Sequence, residues 1–66
     1  MNSNEIKELK KLYKKTNKDI AEYCGVKLDT VNRWTMGSRI PNASAKILLH
    51  HFFEICYAEI VTDTEE

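Results

Sequence analysis

Apolar residues recur at helical spacing in four stretches of the chain, and no stretch shows the alternation expected of a strand. The first stretch predicts a helix over about residues 3–15, with Asn2 or Ser3 as its N-terminal cap. Its apolar stripe consists of Ile6, Leu9, Leu12 and Tyr13. The pattern therefore predicts an all-α fold.

The stretch DIAEYCGVKLDTVNRW, residues 19–34, carries a glycine in the middle of an otherwise helical pattern. Glycine costs about 1 kcal/mol relative to alanine inside a helix, so Gly25 is expected to end one helix. The sequence predicts helices over about residues 17–24 and 28–36, with Thr16 and Asp19 as a capping box and Gly37 as a left-handed stop. The positions expected to point inward are Ile20, Ala21 and Cys24 on the first helix and Val31 and Trp34 on the second.

A last helix is predicted to begin at Pro41 and Asn42 and to reach about residue 61, with residues 62–66 as a frayed tail. It carries two apolar stripes. We assign the first to the core of a single domain spanning residues 1–61; it consists of Ala45, Leu48, Leu49, Phe52 and Cys56. A helix that is apolar on two sides is usually buried on two sides, so the second stripe predicts a homodimer interface. That stripe consists of Phe53, Tyr57, Ile60 and Val61. The alternative is that the helix wraps further around its own core.

Composition places the chain among ordinary soluble globular domains: 66 residues, 42% hydrophobic and 30% charged, with two cysteines. We expect a cytoplasmic protein, because the polar N-terminus lacks a signal-peptide pattern and no apolar run approaches the ~20 residues of a membrane span. The formal net charge is zero, but residues 1–41 hold nine Lys/Arg against five Asp/Glu, and residues 42–66 hold one against five. One basic face is compatible with docking on phosphate.

The two central helices have the residue types that a helix-turn-helix needs over residues 17–36. A small residue, Ala21, allows close approach of the helices, and Gly25 permits the positive φ of a three- or four-residue turn. With Val31 and Trp34 facing inward, the outer face of the second helix is free to enter a DNA major groove ~12 Å wide.

The chain resembles the Cro and phage-repressor type of helix-turn-helix regulators, the XRE family. The resemblance lies in the segment TNKDIAEYCGVKLDTVNRWTMGSRIP and the apolar helix that follows it. The resemblance covers residues 5 to about 56. It implies a four-helix Cro/repressor-like DNA-binding domain with an extended C-terminal helix. One departure is Lys27, at a position where the family usually has Ser or Thr to cap the recognition helix; a lysine cannot accept a backbone N–H. Asp29 is a possible substitute for that cap.

The outer face of the second motif helix supplies the candidate base-reading residues. Arg33 can bridge guanine O6 and N7, Asn32 can pair with adenine, and Asp29 can accept from cytosine N4 or instead order Arg33. The remaining candidates on this face are Leu28, for a thymine methyl, with Lys27 and Thr30 at its N-terminal end. The resemblance further implies phosphate contacts from Asn17 and Lys18 on the first motif helix and from Ser38 and Arg39 after the second.

Double-stranded DNA is the predicted partner, bound by a homodimer as a phage or mobile-element repressor on a palindromic operator. Small temperate-phage transcription activators share the same pattern, and a protein-interaction or antitoxin module is the alternative from another class. We expect no enzymatic activity, small-molecule substrate, cofactor or metal, since no nucleophile–base pair appears. His50 and His51 near Cys56 do not match a zinc-site spacing.

Overall fold

The computed structural model describes the backbone of residues 1–64 and the side chains of residues 1–62. It consists of four helices, α1 (Ser3–Tyr13), α2 (Asn17–Cys24), α3 (Leu28–Met36) and α4 (Ala43–Thr64), with no strand within that part of the chain. α3 packs against α1 and α2, and α4 also packs against α1 and α2. The prediction of an all-α, four-helix domain with a long C-terminal helix is confirmed.

Local signals in the sequence account for both ends of α2 and for the end of α3. The Thr16 hydroxyl accepts the Asp19 backbone N–H at 3.2 Å, and the Asp19 carboxylate accepts the Thr16 N–H at 2.9 Å, which completes the capping box. Gly25 ends α2 at φ 70° and Gly37 ends α3 at φ 80°. A side chain added at Gly25 would meet no atom within 4 Å, so backbone conformation alone requires this glycine.

α1 differs from the prediction at its end and on one face. It stops at Tyr13 rather than near residue 15, because Lys14 takes a left-handed conformation with φ 56° and the Lys15 N–H bonds back to the Lys10 carbonyl at 2.9 Å. Leu12 was expected in the buried stripe but is 64% exposed. The stripe that packs inward is therefore narrower, with Ile6 fully buried and Leu9 and Tyr13 partly buried against the core.

The core lies between the helices and takes buried side chains from all four of them. Its α4 members include Ala45, Leu49, Phe52 and Cys56, as predicted, whereas Leu48 is only half-buried. Phe53 is also buried, which corrects its assignment to a dimer interface. Its ring stacks on Tyr13 at a centroid distance of 6.2 Å and meets Phe52 edge-on at 5.1 Å. Phe53, which the pattern along α4 assigned to a partner subunit, therefore packs against α1 instead.

α4 is longer than predicted. The Asn42 side chain caps it by accepting the Ala45 N–H at 2.8 Å, and the helix continues to Thr64, so residues 62–64 are helical rather than frayed. Glu65 and Glu66 lie outside the described residues. The 22 residues of α4 span about 33 Å. None of the described helices has both the length and the apolar character required of a membrane span.

Candidate nucleic-acid interface

α3 has one buried face and one polar face that is open to solvent. Val31, Trp34 and Thr35 are buried against the other helices, as expected for the first two. On the opposite side the structure brings together the predicted base-reading residues. Lys27, Leu28, Asp29 and Arg33 are exposed, and Thr30 and Asn32 are half-buried. These six residues, together called the reading face below, occupy two turns of a helix braced from behind.

Asp29 orders Arg33 rather than capping α3. Its Oδ2 accepts from Arg33 Nε at 3.0 Å, one helical turn away, with both side chains more than half exposed. Lys27 occupies the cap position and makes no capping hydrogen bond through its side chain, because an ammonium group cannot accept a backbone N–H. An exposed ion pair of this kind adds little stability. Its consequence is geometric, because it engages the Nε edge of the guanidinium and leaves the terminal nitrogens for a base or phosphate.

Three polar side chains connect the start of α2 to the reading face. Asn17 Nδ2 donates to Asn32 Oδ1 at 2.7 Å and to Thr35 Oγ1 at 3.3 Å, and the Thr35 hydroxyl donates to the Asn32 backbone carbonyl at 3.0 Å. Asn17 Oδ1 is buried without a hydrogen-bond partner among the described residues. Thr35 was not predicted; a polar residue on the buried stripe of α3, beside Val31 and Trp34, is the signal that could have found it.

The residues expected to contact phosphate flank the reading face at two places. Lys18 is exposed in the first turn of α2, where the leading backbone N–H groups have no intrahelical acceptor. The Asn17 side chain is engaged within the protein, so its backbone N–H is the group left for a phosphate. After α3, the backbone N–H groups of Ser38 and Arg39 bond to the Arg33 carbonyl at 3.1 and 3.3 Å, and both side chains are exposed. These contacts fix the loop that carries Arg39.

The other predicted interface residues lie at the far end of α4. Tyr57 is 61% exposed, Ile60 is about half exposed and Val61 is half-buried. Beyond Cys56 no described side chain is buried, so the last two turns of α4 extend past the core. Ile47 and Ile55, which the sequence reading did not single out, are also exposed on α4.

Both cysteines are free thiols. Cys56 is buried and Cys24 half-buried, in agreement with their predicted packing as small hydrophobes. Burial raises the pKa of both thiols, which lowers their thiolate fraction and hence their reactivity. Within the described residues, no three His, Cys, Asp or Glu side chains are grouped closely enough to hold a metal ion.

Two short helices joined by a glycine turn, the second with a polar outer face and a buried inner one, define a helix-turn-helix DNA-binding domain. A family model described as helix-turn-helix matches residues 6–55, three quarters of the chain. The chain therefore belongs to this family, the Cro/repressor type of regulator that its sequence resembles. No curated protein and no solved structure shows a significant match to the chain.

Proposed function

We propose that the protein is a sequence-specific, double-stranded DNA-binding transcriptional regulator that places α3 in the major groove and catalyses no reaction. The observation that carries the proposal is the position of the reading face. It lies opposite the buried Val31 and Trp34, on the second helix of the motif. Rigid support from behind holds the backbone of α3 in place. The exposed Arg33 and the half-buried Asn32 then have the chemistry to distinguish base edges.

Phosphate binding would supply much of the affinity. Lys18 and Arg39 are exposed on either side of α3, and Lys27 is exposed at its N-terminus. Each phosphate that they neutralise releases condensed counterions, so log K should fall with log salt by about 0.9 per contact. Residues 1–41 carry nine Lys/Arg against five Asp/Glu and residues 42–66 carry one against five, so the zero net charge of the chain does not oppose docking through the basic segment.

Arg33→Ala tests the reading face directly. Loss of a bidentate guanine contact should weaken binding to a selected site by roughly 1–3 kcal/mol and relax the preference at one base pair. The matched control is Lys7→Ala, which removes an equal charge from an exposed position on α1. Sites come from random-duplex selection, affinities from fluorescence anisotropy, and thermal melting checks the fold.

Equal effects of Arg33→Ala and Lys7→Ala on all duplexes would contradict base reading by α3. A different outcome would identify a protein-interaction or antitoxin module. In that case the protein binds no duplex, and both Arg33→Ala and Asn32→Ala bind a protein partner as well as the wild type does. In either case the proposal of sequence-specific DNA binding fails.

We also propose that the regulator is a homodimer assembled through the outer part of α4. Support comes from Tyr57 and Ile55, large side chains exposed on a helix that extends past its own core. Phe53 takes no part in this interface because the domain core buries it. A two-fold axis would present two copies of α3 to half-sites about 34 Å apart, which requires a palindromic operator.

Tyr57→Asp should convert dimers to monomers, because two carboxylates would be brought into an apolar contact without partners. Leu12→Asp is a matched control, since Leu12 is 64% exposed and Tyr57 is 61% exposed. Light scattering across micromolar concentrations measures the mass. Dimers that survive Tyr57→Asp, or that Leu12→Asp dissociates equally, would refute this interface.

The sign of regulation and a phage or mobile-element origin rest on the resemblance to Cro and phage repressors. We propose repression in the cytoplasm by occupancy of an operator that overlaps a promoter. A reporter placed downstream of the selected site should lose expression when the protein is present. A rise in expression would identify an activator with the same reading face.

A further inference from the structure

Asn17 and Thr35 fix whether the oxygen or the nitrogen of the Asn32 side-chain amide lies on the reading face. The numbers of hydrogen-bond donors and acceptors in the network determine this orientation. The Thr35 hydroxyl has one hydrogen, which it donates to the Asn32 backbone carbonyl at 3.0 Å. Toward Asn17, at 3.3 Å, it can therefore only accept. The Asn17 atom that faces it must be the donor nitrogen, and the oxygen of Asn17 points the other way.

The same nitrogen then orients Asn32. Its second hydrogen is donated to Asn32 Oδ1 at 2.7 Å, which turns the oxygen of Asn32 toward α2. The Nδ2 group lies on the other branch of the Asn32 amide and is neither hydrogen-bonded to a described residue nor fully buried, so solvent reaches it. A donor group of Asn32 is thereby presented on the reading face.

Reversing both amides would make the network worse. The Thr35 hydroxyl would have to leave the Asn32 carbonyl to donate to Asn17, so three hydrogen bonds become two. The buried atom of Asn17 without a partner would become an NH₂ group with two unsatisfied hydrogens, in place of one unsatisfied oxygen. Because unpaired buried donors are the rarer and more unfavourable case, the observed orientation is the stable one.

We propose that Asn17 is a positioning residue for base recognition, which acts through Asn32 and with Thr35 rather than by touching DNA through its side chain. The inference rests on the proposed DNA-binding function. Asn32 presents its nitrogen to the groove, so it should favour a base with a major-groove acceptor: purine N7, guanine O6 or thymine O4. Cytosine offers only its N4 donor there and should be disfavoured at this position.

Asn17→Asp inverts the network and provides the test. A carboxylate cannot donate, so Asn32 must turn its nitrogen toward residue 17 and its oxygen toward the groove, while Thr35 donates to the new carboxylate. The variant should still fold, because an acidic residue is favourable in the first turn of α2. The base preference contributed by Asn32 should then change from acceptors to donors, with cytosine or the adenine N6 edge favoured by roughly tenfold.

The experiment compares random-duplex selections for the wild type, Asn17→Asp, Asn17→Ala and Lys18→Ala. Asn17→Ala should flatten the preference at one base pair, and Asn17→Asp should reverse it at that same pair. Lys18→Ala changes the net charge by the same amount as Asn17→Asp on the neighbouring residue with the network intact. It should lower affinity for all duplexes equally and leave every preference unchanged.

A second readout needs no DNA. In NMR spectra of the free protein, the side-chain NH₂ of Asn17 should exchange slowly with solvent and that of Asn32 rapidly. In Asn17→Asp, the NH₂ of Asn32 should exchange slowly instead. Unchanged base preference in Asn17→Asp, or slow exchange at Asn32 in the wild type, would overturn the positioning role alone. Absence of any wild-type DNA binding would overturn the proposed function, and with it the base preference drawn from the network.

Discussion

Phe53→Ala distinguishes a core residue from an interface residue, and the structure fixes its expected magnitude. Phe53 is 5% exposed and contacts two aromatic rings, Tyr13 and Phe52. Truncating a buried phenylalanine costs about 3–5 kcal/mol, because the apolar transfer energy is lost and a cavity remains. A domain of this size has a total unfolding free energy of about 3–10 kcal/mol. The loss is therefore a large fraction of the stability of the domain.

Urea denaturation followed by circular dichroism measures the effect. With an m-value of about 1 kcal/mol/M for so small a domain, the midpoint should fall by about 3–5 M. Phe53→Leu keeps an apolar side chain but loses both ring contacts, so it should stay folded and lose about 1–2 kcal/mol. Tyr57→Ala removes a ring that is 61% exposed and should change the stability of the monomer by no more than about 0.5 kcal/mol.

Protein concentration separates the two explanations for Phe53. A core loss is independent of concentration, whereas an interface loss acts through mass action and disappears at dilutions where the wild type is itself monomeric. The denaturation series is therefore repeated over a hundredfold range of concentration. A Phe53→Leu variant with wild-type stability when dilute, and a loss only at concentrations where the wild type is dimeric, would refute its place in the core.

Two local features of the backbone give further predictions. Lys14→Gly should stabilise the fold by about 1 kcal/mol, because Lys14 holds a φ of 56° that glycine adopts without strain. The control Lys11→Gly, inside α1, should destabilise the fold by a similar amount. A loss of stability in both variants would contradict a strained turn at Lys14. The hydrogen bond from the Thr16 backbone N–H lowers the pKa of Asp19, so the capping box stabilises the fold above the unfolded-state pKa of about 4 and loses that contribution as pH falls through the lower folded-state pKa. Asp19→Asn should remove this part of the pH dependence in melting experiments between pH 2 and 6, and an unchanged difference between the melting temperatures at these limits would contradict it.

The sequence located α2 and α3 because both ends of α2 and the end of α3 have short-range chemistry. Thr16 with Asp19 begins α2, Gly25 ends it, and Gly37 ends α3. α1 lacked such a signal at its end, since Lys14 is a residue type that seldom adopts positive φ. α4 lacked one as well, and it continues three residues beyond the predicted end at residue 61. Helix boundaries that depend on local capping residues could be predicted from the sequence, whereas the ends of α1 and α4 could not.

The rotation of α4 about its axis could not be read from the pattern, because apolar residues occur around most of its circumference. Phe53 lies next to Phe52 on the helix, and both belong to stripes with helical spacing. What assigns Phe53 to the core is the ring of Tyr13, forty residues earlier in the chain. The choice between core and interface at this position is therefore a tertiary property.

The candidate site also has one feature that follows from local sequence and one that depends on tertiary packing. Asp29 and Arg33 are four residues apart on one helix, so their ion pair was among the possibilities that the sequence offered. The orientation of Asn32 instead depends on Asn17 and Thr35, fifteen residues before it and one turn after it, and on the packing of α2 against α3. It follows that grafting residues 27–33 onto another helix-turn-helix scaffold would transfer the Arg33 geometry but not that of Asn32. If Asn32 reads a base as proposed, the preference at that position belongs to the pair of helices, and only a graft that includes both Asn17 and Thr35 should preserve it.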